Sequence, residues 1–240
     1  MNVKEEAMSM WAITQGAGSA AINRRTLLAG FAATGALALG GCATIGQTSY
    51  TEAVRRLLTL ATQRAFAQLT RPDGFWDSTV ARVELPVLFG KPGKIASVVL
   101  KSPAFREKLQ HSLNRFAEDG ARRAAPVAAD ALRSLTFTDA LALLKGGGTG
   151  ATTYFRQAMG PGLVNAMIPA LGDAMQVAND PVLNQAIALL SGVNLGDAAH
   201  ALALNIDNAI WYQIGEAEAD IRRDPQSTND PLLIAALKVL

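Results

Sequence analysis

Residues 195–223 read LGDAAHALALNIDNAIWYQIGEAEADIRR, and this segment has the longest continuous helical pattern in the chain. Its apolar residues recur at steps of three and four, which places them on one face of an α-helix. That face holds Ile206, Ile210, Ile214, Ala217 and Ile221. Asp224-Pro225 follows, and a proline at this point stops a helix. The segment therefore predicts one long amphipathic helix that ends at Arg223.

Helical patterns also fill the region upstream of this segment. Thr51 has the side chain of an N-cap for a helix that reaches Leu69. Ser102-Pro103 is a typical start for the next helix, because proline is favoured at the first helical position. We expect Pro126 to end or kink that helix, and a new one to begin over residues 127–135.

Further helices follow towards the C-terminus. Thr136-Phe137-Thr138-Asp139 carries N-cap chemistry before a short helix over 140–144, after which a glycine-rich loop breaks the chain. The remaining helices are predicted over 152–159, 163–177 and 181–190, and from Asp230-Pro231 onward. The segment 75–92 is the least helical, since Val83, Leu85 and Val87 alternate around Pro86. The patterns together predict an all-α protein with a single multi-helix domain over residues 51–240.

The composition excludes several classes of protein. The chain has 240 residues, of which 50% are apolar, and this is enough to form a full hydrophobic core. Its 22 Lys and Arg residues are nearly balanced by 20 Asp and Glu residues, which argues against nucleic-acid binding. One cysteine and two histidines exclude multi-cysteine zinc sites and iron–sulfur clusters. We therefore expect neither a metal nor a cofactor.

Residues 1–41 have the features of a bacterial lipoprotein signal peptide. Arg24 and Arg25 precede an apolar segment over 27–39, which is shorter than the roughly 20 residues that a membrane-spanning helix needs. Leu39-Gly40-Gly41-Cys42 resembles the lipobox. In that motif the thiol is the nucleophile for lipid modification, and the small residues before it allow cleavage. The sequence therefore predicts cleavage before Cys42.

Acyl chains on Cys42 would anchor the protein to a membrane through a lipidated tether over residues 42–50, because two chains supply stable anchoring. The run 23–28, NRRTLL, resembles the twin-arginine export motif, and an ordinary secretory signal is the alternative. In Gram-negative sorting an Asp after the lipidated cysteine commonly retains a lipoprotein at the inner membrane, so Ala43 favours the outer membrane. We expect a lipid-anchored, periplasm-facing protein of the bacterial cell envelope, with an envelope protein or lipid as a further partner.

The second half of the chain is poor in charge. Residues 134–215 contain only seven charged side chains. One interpretation is that these helices are buried in the core. The other is that they form an exposed apolar groove for a lipid or a partner.

Several different short motifs follow one another along the mature chain. They are Asp73-Gly74-Phe75, Leu85-Pro86, Asn114-Arg115-Phe116-Ala117-Glu118, Ala124-Ala125-Pro126, Leu135-Thr136-Phe137-Thr138-Asp139-Ala140, Ala151-Thr152-Thr153-Tyr154-Phe155, and the segment from Glu218 to Pro225. In this order and spacing the chain resembles the bacterial family known as domain of unknown function 4197 (DUF4197), from about Thr51 to the C-terminus. The resemblance implies an exported, largely helical protein without an established activity, and it brings no catalytic residues.

Polar residues in or beside these motifs form the best candidate site. They are Asp73, Glu118, Asp130, Asp139, Tyr154, Arg156, Glu218 and Arg222. Glu218 and Arg222 are four residues apart on one predicted helix and can pair there, at about 0.2–0.5 kcal/mol if exposed. Helix caps, interhelical ion pairs and loop anchors are a simpler interpretation of this set than a catalytic site.

The two histidines and the glycine-rich loop are weaker candidates for a functional site. His111 and His200 have no second histidine or carboxylate at metal-ligand spacing, so we expect surface or hydrogen-bonded histidines. The loop 146–151, GGGTGA, lacks the Gly-Lys-Ser/Thr ending of a phosphate-binding loop and is expected to be a flexible connection.

The function we expect is binding or scaffolding by a lipid-anchored envelope protein, without catalysis. A carrier or sensor of an apolar ligand is the first alternative, since the second half is poor in charge. A hydrolase that uses the scattered carboxylates is the second.

Overall fold

The computed structural model of the protein describes residues 38–85, 102–177, 181–189 and 195–238. The α-helices in this part of the chain are α1 (Ala38–Leu69), α2 (Pro103–Ser134), α3 (Ala140–Lys145), α4 (Gly150–Met159), α5 (Gly162–Val177), α6 (Pro181–Leu189), α7 (Leu195–Arg223) and α8 (Pro231–Lys238), and a short 3₁₀ helix covers Pro225–Thr228. These residues contain no β-strand, so the predicted all-α fold is confirmed. None of the helices described is both long and apolar enough to cross a membrane.

The chain divides into two units, Met1–Thr44 and Ile45–Leu240, and the second contains the whole hydrophobic core described below. Arg24 and Arg25 lie outside the described residues. The backbone of Leu39–Cys42 belongs to α1.

The predicted helix ends agree with the structure at several points. The long helix α7 runs from Leu195 to Arg223, as its pattern predicts. Helix α2 begins at Pro103, although the Ser102 side chain makes no capping hydrogen bond. The Asp139 carboxylate accepts a hydrogen bond of 2.8 Å from the N–H of Ala142 and so caps α3.

Two predicted helix ends are wrong. Thr51 is not an N-cap, because α1 begins at Ala38 and the backbone of residues 42–50, the predicted tether, is helical. Pro126 does not end α2, which continues to Ser134, so no separate helix begins at residue 127. Pro126 is exposed, and Ala124 and Ala128 on either side of it are buried. Core packing therefore holds the helix together at a position where water can reach the backbone group that proline leaves unpaired.

Helix α5 packs against both α2 and α7 and forms the centre of the domain. Gly120 of α2 lies where these three helices meet. A Cβ atom at this position would come within 3.5 Å of Leu171 and Met167 of α5 and 3.6 Å of Ile206 of α7. These are ordinary van der Waals distances, so the space at Gly120 is about the size of a methyl group and the three helices are closely packed around it.

The charge-poor part of the chain supplies much of this core. Phe155, Leu163, Met167 and Leu171 are fully buried, and Leu202 is nearly so. The large apolar side chains that the structure describes as exposed are Val80, Leu204 and Tyr212. The described residues therefore favour the interpretation of buried core helices.

The segment between α1 and α2 is irregular as far as Leu85, and a buried side chain of α2 fixes it near its end. Asn114 is fully buried, and its amide group pairs with the backbone of Val83. It accepts a hydrogen bond of 2.8 Å from the N–H of Val83 and donates one of 3.0 Å to the C=O of the same residue. The amide thus replaces the partner that a neighbouring strand would provide.

A tight turn follows α1 at Arg71-Pro72-Asp73-Gly74, where a turn is expected from the sequence. The N–H of Gly74 donates to the C=O of Arg71 at 3.0 Å, and that of Asp77 donates to the C=O of Asp73 at 2.8 Å. Asp73 has a φ of 56°, in the left-handed region that Asp tolerates better than most residues. A Cβ atom at Gly74 would lie 2.2 Å from the backbone oxygen of Gln68.

We expect Gly74→Ala to lower the free energy of unfolding by about 3 kcal/mol or more, because backbone atoms cannot move away from the added methyl group. Gly172→Ala in α5 is the matched control, since a Cβ atom there meets nothing within 4 Å. That change should raise the free energy of unfolding by about 0.4–1 kcal/mol. Urea unfolding of both variants measures the difference, and equal stabilities would contradict the turn geometry.

Candidate functional site

A polar cleft of about 780 Å³ lies beside the turn at Asp73 and one face of α2. It is open to solvent. Its walls are formed by Pro72, Asp73, His111, Ser112, Arg115, Phe116, Glu118, Asp119, Arg122 and Pro181. We call it the Asp73 cleft.

The α2 wall of the cleft follows from helical spacing. His111, Arg115, Glu118 and Arg122 are separated by four, three and four residues. Side chains at these steps lie on the same face of a helix, one above the other. The turn brings Asp73 to this face, so a carboxylate from another part of the chain joins the row.

His111 is fixed by two contacts from the turn region. Its Nε2 atom lies 3.0 Å from Oδ1 of Asp73. The ring of Trp76 meets the imidazole edge to face, with 4.9 Å between the ring centroids. His111 was expected to be a surface or hydrogen-bonded histidine, and its partner was not foreseen because Asp73 lies on a distant turn.

Glu118 differs from the other charged residues of the cleft because it is buried. Only 6% of the residue is exposed, and its Oε1 atom finds no hydrogen-bond partner in the part of the chain that the structure describes. The other oxygen, Oε2, lies 3.5 Å from a guanidinium nitrogen of Arg122. Burial raises the pKa of the Glu118 carboxyl, while the N–H of Asp73 and the positive charge of Arg122 act in the opposite direction.

Arg122 has several partners and is therefore not committed to Glu118. It pairs with the exposed carboxylate of Asp119 and donates a hydrogen bond of 2.9 Å to the C=O of Thr70. Arg115 is exposed, and no carboxylate of the described residues lies within ion-pair distance of it.

The cleft continues along α2 into a second depression of about 470 Å³. The two share His111 and Ser112 as wall residues. Trp76, Glu107, Lys108 and Val182 complete the second depression together with Ala104. A ligand longer than the first cleft could therefore extend past the imidazole.

Glu218 and Arg222 do pair, but in a buried position and with further partners. The Glu218 side chain is fully buried and accepts hydrogen bonds from the N–H groups of Ala151 and Thr152, at 3.1 and 2.7 Å. It also accepts one of 2.8 Å from Nε of Arg222. Glu218 thus caps the start of α4 from another helix.

Arg222 satisfies the end of the preceding helix. Its guanidinium donates to the C=O of Leu144 at 2.7 Å and to that of Leu143 at 2.8 Å. These carbonyls belong to the last turn of α3, where no intrahelical donor is available. One ion pair on α7 therefore holds both helices that flank the glycine loop over residues 146–149.

The other polar residues of the predicted set are separate from the cleft. Tyr154 donates a hydrogen bond of 2.7 Å to the C=O of Thr136, Asp139 caps α3, and Asp130 pairs with Arg133 on the exposed side of α2. The structure thus brings Asp73 together with Glu118, and Glu218 together with Arg222. The candidate site predicted from the sequence does not include His111. The spacing of seven residues between His111 and Glu118, which places both side chains on one face of α2, could have identified it.

A third buried carboxylate, Asp207, lies on α7 outside the cleft. It accepts a hydrogen bond of 2.9 Å from Nε1 of Trp211, and its other oxygen lies 3.2 Å from Arg156. Burial is the main cause that raises the pKa of Asp207, and the hydrogen bond from Trp211 lowers it. Both oxygens of this carboxylate have partners, in contrast to those of Glu118.

The described residues contain no group of three or more His, Cys, Asp and Glu side chains that could hold a metal ion. The cleft offers instead carboxylates, guanidinium groups and one oriented imidazole. These groups can recognise a charged ligand by ion pairs and hydrogen bonds.

We expect Glu218→Ala to lower the free energy of unfolding by about 3–5 kcal/mol, because it leaves a buried guanidinium without its counter-charge and uncaps α4. Asp220→Ala is the matched control on the same helix. Asp220 pairs with Arg223, and their side chains are 51% and 71% exposed, so the loss there should stay below about 0.5 kcal/mol. Urea unfolding compares the two, and similar losses would show that the buried pair is not structurally important.

We expect Glu118→Gln to change the pH dependence of stability. Because the pKa of Glu118 is raised above 4.5 by burial, the native state binds more protons than the unfolded state just above that pH. The free energy of unfolding therefore falls as pH rises from the unfolded pKa through the folded pKa. The neutral amide removes this loss, so the variant should be more stable than the wild type at neutral pH and similar to it below the window.

Urea unfolding across this pH range measures the difference between variant and wild type. Glu107→Gln, an exposed position on the same helix, is the control. A Glu118→Gln variant that is less stable than the wild type at neutral pH would show that attraction to Arg122 outweighs the cost of burial.

Comparison with known proteins identifies one family. The family model described as a protein of unknown function (DUF4197) matches residues 44–237. Neither the curated proteins nor the solved structures contain a match to the chain. The matched span includes the Asp73 cleft and the Glu218–Arg222 pair, and it covers most of the 240 residues. The chain therefore belongs to the DUF4197 family.

Proposed function

We propose that this protein is a lipid-anchored binding protein of the bacterial cell envelope, with the Asp73 cleft as its ligand site. The observation that carries the proposal is the buried Glu118 carboxylate in the cleft wall, one oxygen of which has no hydrogen-bond partner within residues 38–85, 102–177, 181–189 and 195–238. An unpaired buried acceptor is costly in a folded protein, and a bound ligand that donates a hydrogen bond would remove that cost.

The anchor in this proposal is Cys42. It follows Leu39-Gly40-Gly41, the residues that a lipobox requires, and the DUF4197 match begins two residues after it. Arg24 and Arg25 support export by the twin-arginine route, and Ala43 supports sorting to the outer membrane. The membrane is then the first partner, reached through the acyl chains.

Binding is favoured over catalysis by the way the charged groups of the cleft are used. Asp73 is engaged with His111, and Asp119 with Arg122. Ser112 follows His111 directly, and adjacent residues of a helix do not face each other, so the two are not arranged as a nucleophile and its base. The proposed role is therefore to hold a ligand.

A hydrolase at the same cleft is the second candidate. It is favoured by the Asp73–His111 pair, which orients an imidazole, and by the raised pKa of the Glu118 carboxyl. These are the two elements of general acid–base catalysis.

Native mass spectrometry of protein purified from a bacterial membrane fraction tests the proposal. We expect a covalent mass that begins at Cys42 and includes acyl chains, and a non-covalent adduct from the ligand. Cys42→Ala should abolish the acylation and the membrane association, and Arg115→Met should abolish the adduct. Ala43→Asp is the control that retains acylation and is expected to move the protein to the inner-membrane fraction.

An unmodified Cys42 with residues 1–41 attached would contradict the anchor, and the absence of an adduct from the wild type would contradict the ligand site. His111→Asn separates the two candidate functions. A binding protein would keep the same adduct, whereas a hydrolase that loses its base would carry a heavier, uncleaved one.

A further inference from the structure

The Asp73 cleft contains an acceptor that the described part of the chain leaves unpaired. Oε1 of Glu118 has no hydrogen-bond partner among those residues, and the side chain is 8% exposed. This atom is itself buried, whereas Oε2 lies 3.5 Å from Arg122. The last torsion of a glutamate side chain is broad, and a rotation about it would bring Oε1 to the side of the carboxylate that faces Arg122. After that rotation a ligand in the cleft can reach an acceptor that the described residues do not use.

Among the described residues of the same wall, one cation has no ion-pair partner. Arg115 is exposed and has no ion-pair partner among the described residues, although it precedes Glu118 by only three positions. At this spacing the Cβ atoms are about 5–6 Å apart on one helix face. The other basic side chains of the wall have partners: His111 contacts Asp73, and Arg122 pairs with Asp119.

The two open groups have opposite charges and opposite hydrogen-bonding roles. A carboxylate accepts the hydrogen bonds of an ammonium group, and a guanidinium donates two parallel hydrogen bonds to a carboxylate. A ligand that matches both must carry a donor cation and an acceptor anion close together. A simple cation would leave Arg115 unused, and a simple anion would be repelled by Glu118.

We propose that the Asp73 cleft binds an α-amino acid unit, with its ammonium group on Glu118 and its carboxylate on Arg115. This inference rests on the proposed function, because it assigns a ligand class to the same cleft. The depression beyond His111 gives the rest of the ligand a direction in which to extend, past Trp76 and along α2. An amino acid side chain or a short attached chain fits this extension.

The test uses the detergent-solubilised mature protein and defined probes in isothermal titration calorimetry. The zwitterionic probes are glycine, L-alanine, D-alanine and L-lysine. L-alaninamide lacks the carboxylate, and N-acetyl-L-alanine lacks the ammonium group. We expect at least one zwitterion to bind, and each blocked form of alanine to bind about tenfold or more weakly than alanine, since each loses one charge-assisted contact.

Two variants assign the contacts to residues. Arg115→Met should weaken binding of the zwitterion about tenfold and leave L-alaninamide unaffected, because only the carboxylate contact is lost. Glu118→Gln should weaken binding of the zwitterion but not that of N-acetyl-L-alanine, whose anion loses the repulsion from Glu118. The controls are Arg123→Met, an exposed arginine of the same helix outside the cleft, and Asp207→Asn, a buried carboxylate whose oxygens both have partners. Both controls should bind as the wild type does.

The outcomes distinguish this inference from the function on which it rests. If the purified wild type carries an adduct that Arg115→Met removes, but no zwitterion binds, the cleft is a ligand site for another class and the inference is wrong. If there is neither an adduct nor zwitterion binding, both proposals are wrong. Binding that is equal for alanine, its amide and its N-acetyl form would also overturn the inference.

Discussion

The ion pair between Glu218 and Arg222 is the interaction on which the arrangement of three helices depends. A buried ion pair by itself is a weak stabiliser, because the loss of hydration offsets much of the attraction between the charges. This pair gains its importance from the backbone groups that it satisfies at the end of α3 and the start of α4, where a helix supplies no hydrogen-bond partners of its own. The groups concerned are the carbonyls of Leu143 and Leu144 and the N–H groups of Ala151 and Thr152. The pair thus fixes both ends of the glycine loop over residues 146–149 on α7.

The consequences of this pair extend to the far end of α2. Because α4 is held on α7, Tyr154 is in a position to donate to the C=O of Thr136, just after α2 ends. Arg55 of α1 donates to the C=O of Leu135 at 2.8 Å, and its guanidinium lies 5.3 Å from the centre of the Phe137 ring. Helix α2 is therefore fixed at its C-terminal end by two other helices and, near its middle, by the Asn114 amide on Val83. The helix that carries the cleft wall is a rigid support for it.

The sequence predicts what depends on local pattern and misses what depends on distant partners. Helix α7 follows its apolar period from Leu195 to Arg223, and Asp139 caps α3, because both effects act within a few residues. Pro126 misled the prediction, since tertiary packing on Ala124 and Ala128 outweighs the local preference of proline. The pairing of Glu218 with Arg222 was visible as a spacing of four, but its burial and its backbone partners were not. In the cleft, helical spacing alone predicts that the side chains from His111 to Arg122 form a row on one face of α2. The position of Asp73 beside this row can be known only from the three-dimensional structure.

The structure describes three buried carboxylates, and the contrast among them bears on the cleft. Glu218 is surrounded by backbone and guanidinium donors, and Asp207 has Trp211 on one oxygen and Arg156 on the other. The same chain therefore satisfies two buried carboxylates completely. An unpaired buried acceptor opposes folding, so stability alone gives no reason to keep Glu118 in this state. That exception lies in the wall of an open cleft, three residues from Arg115, for which the described part of the chain offers no ion-pair partner. Glu118 and Arg115 therefore have opposite charges, incomplete pairing and a place in the same cleft wall. The simplest explanation is that both contact one ligand.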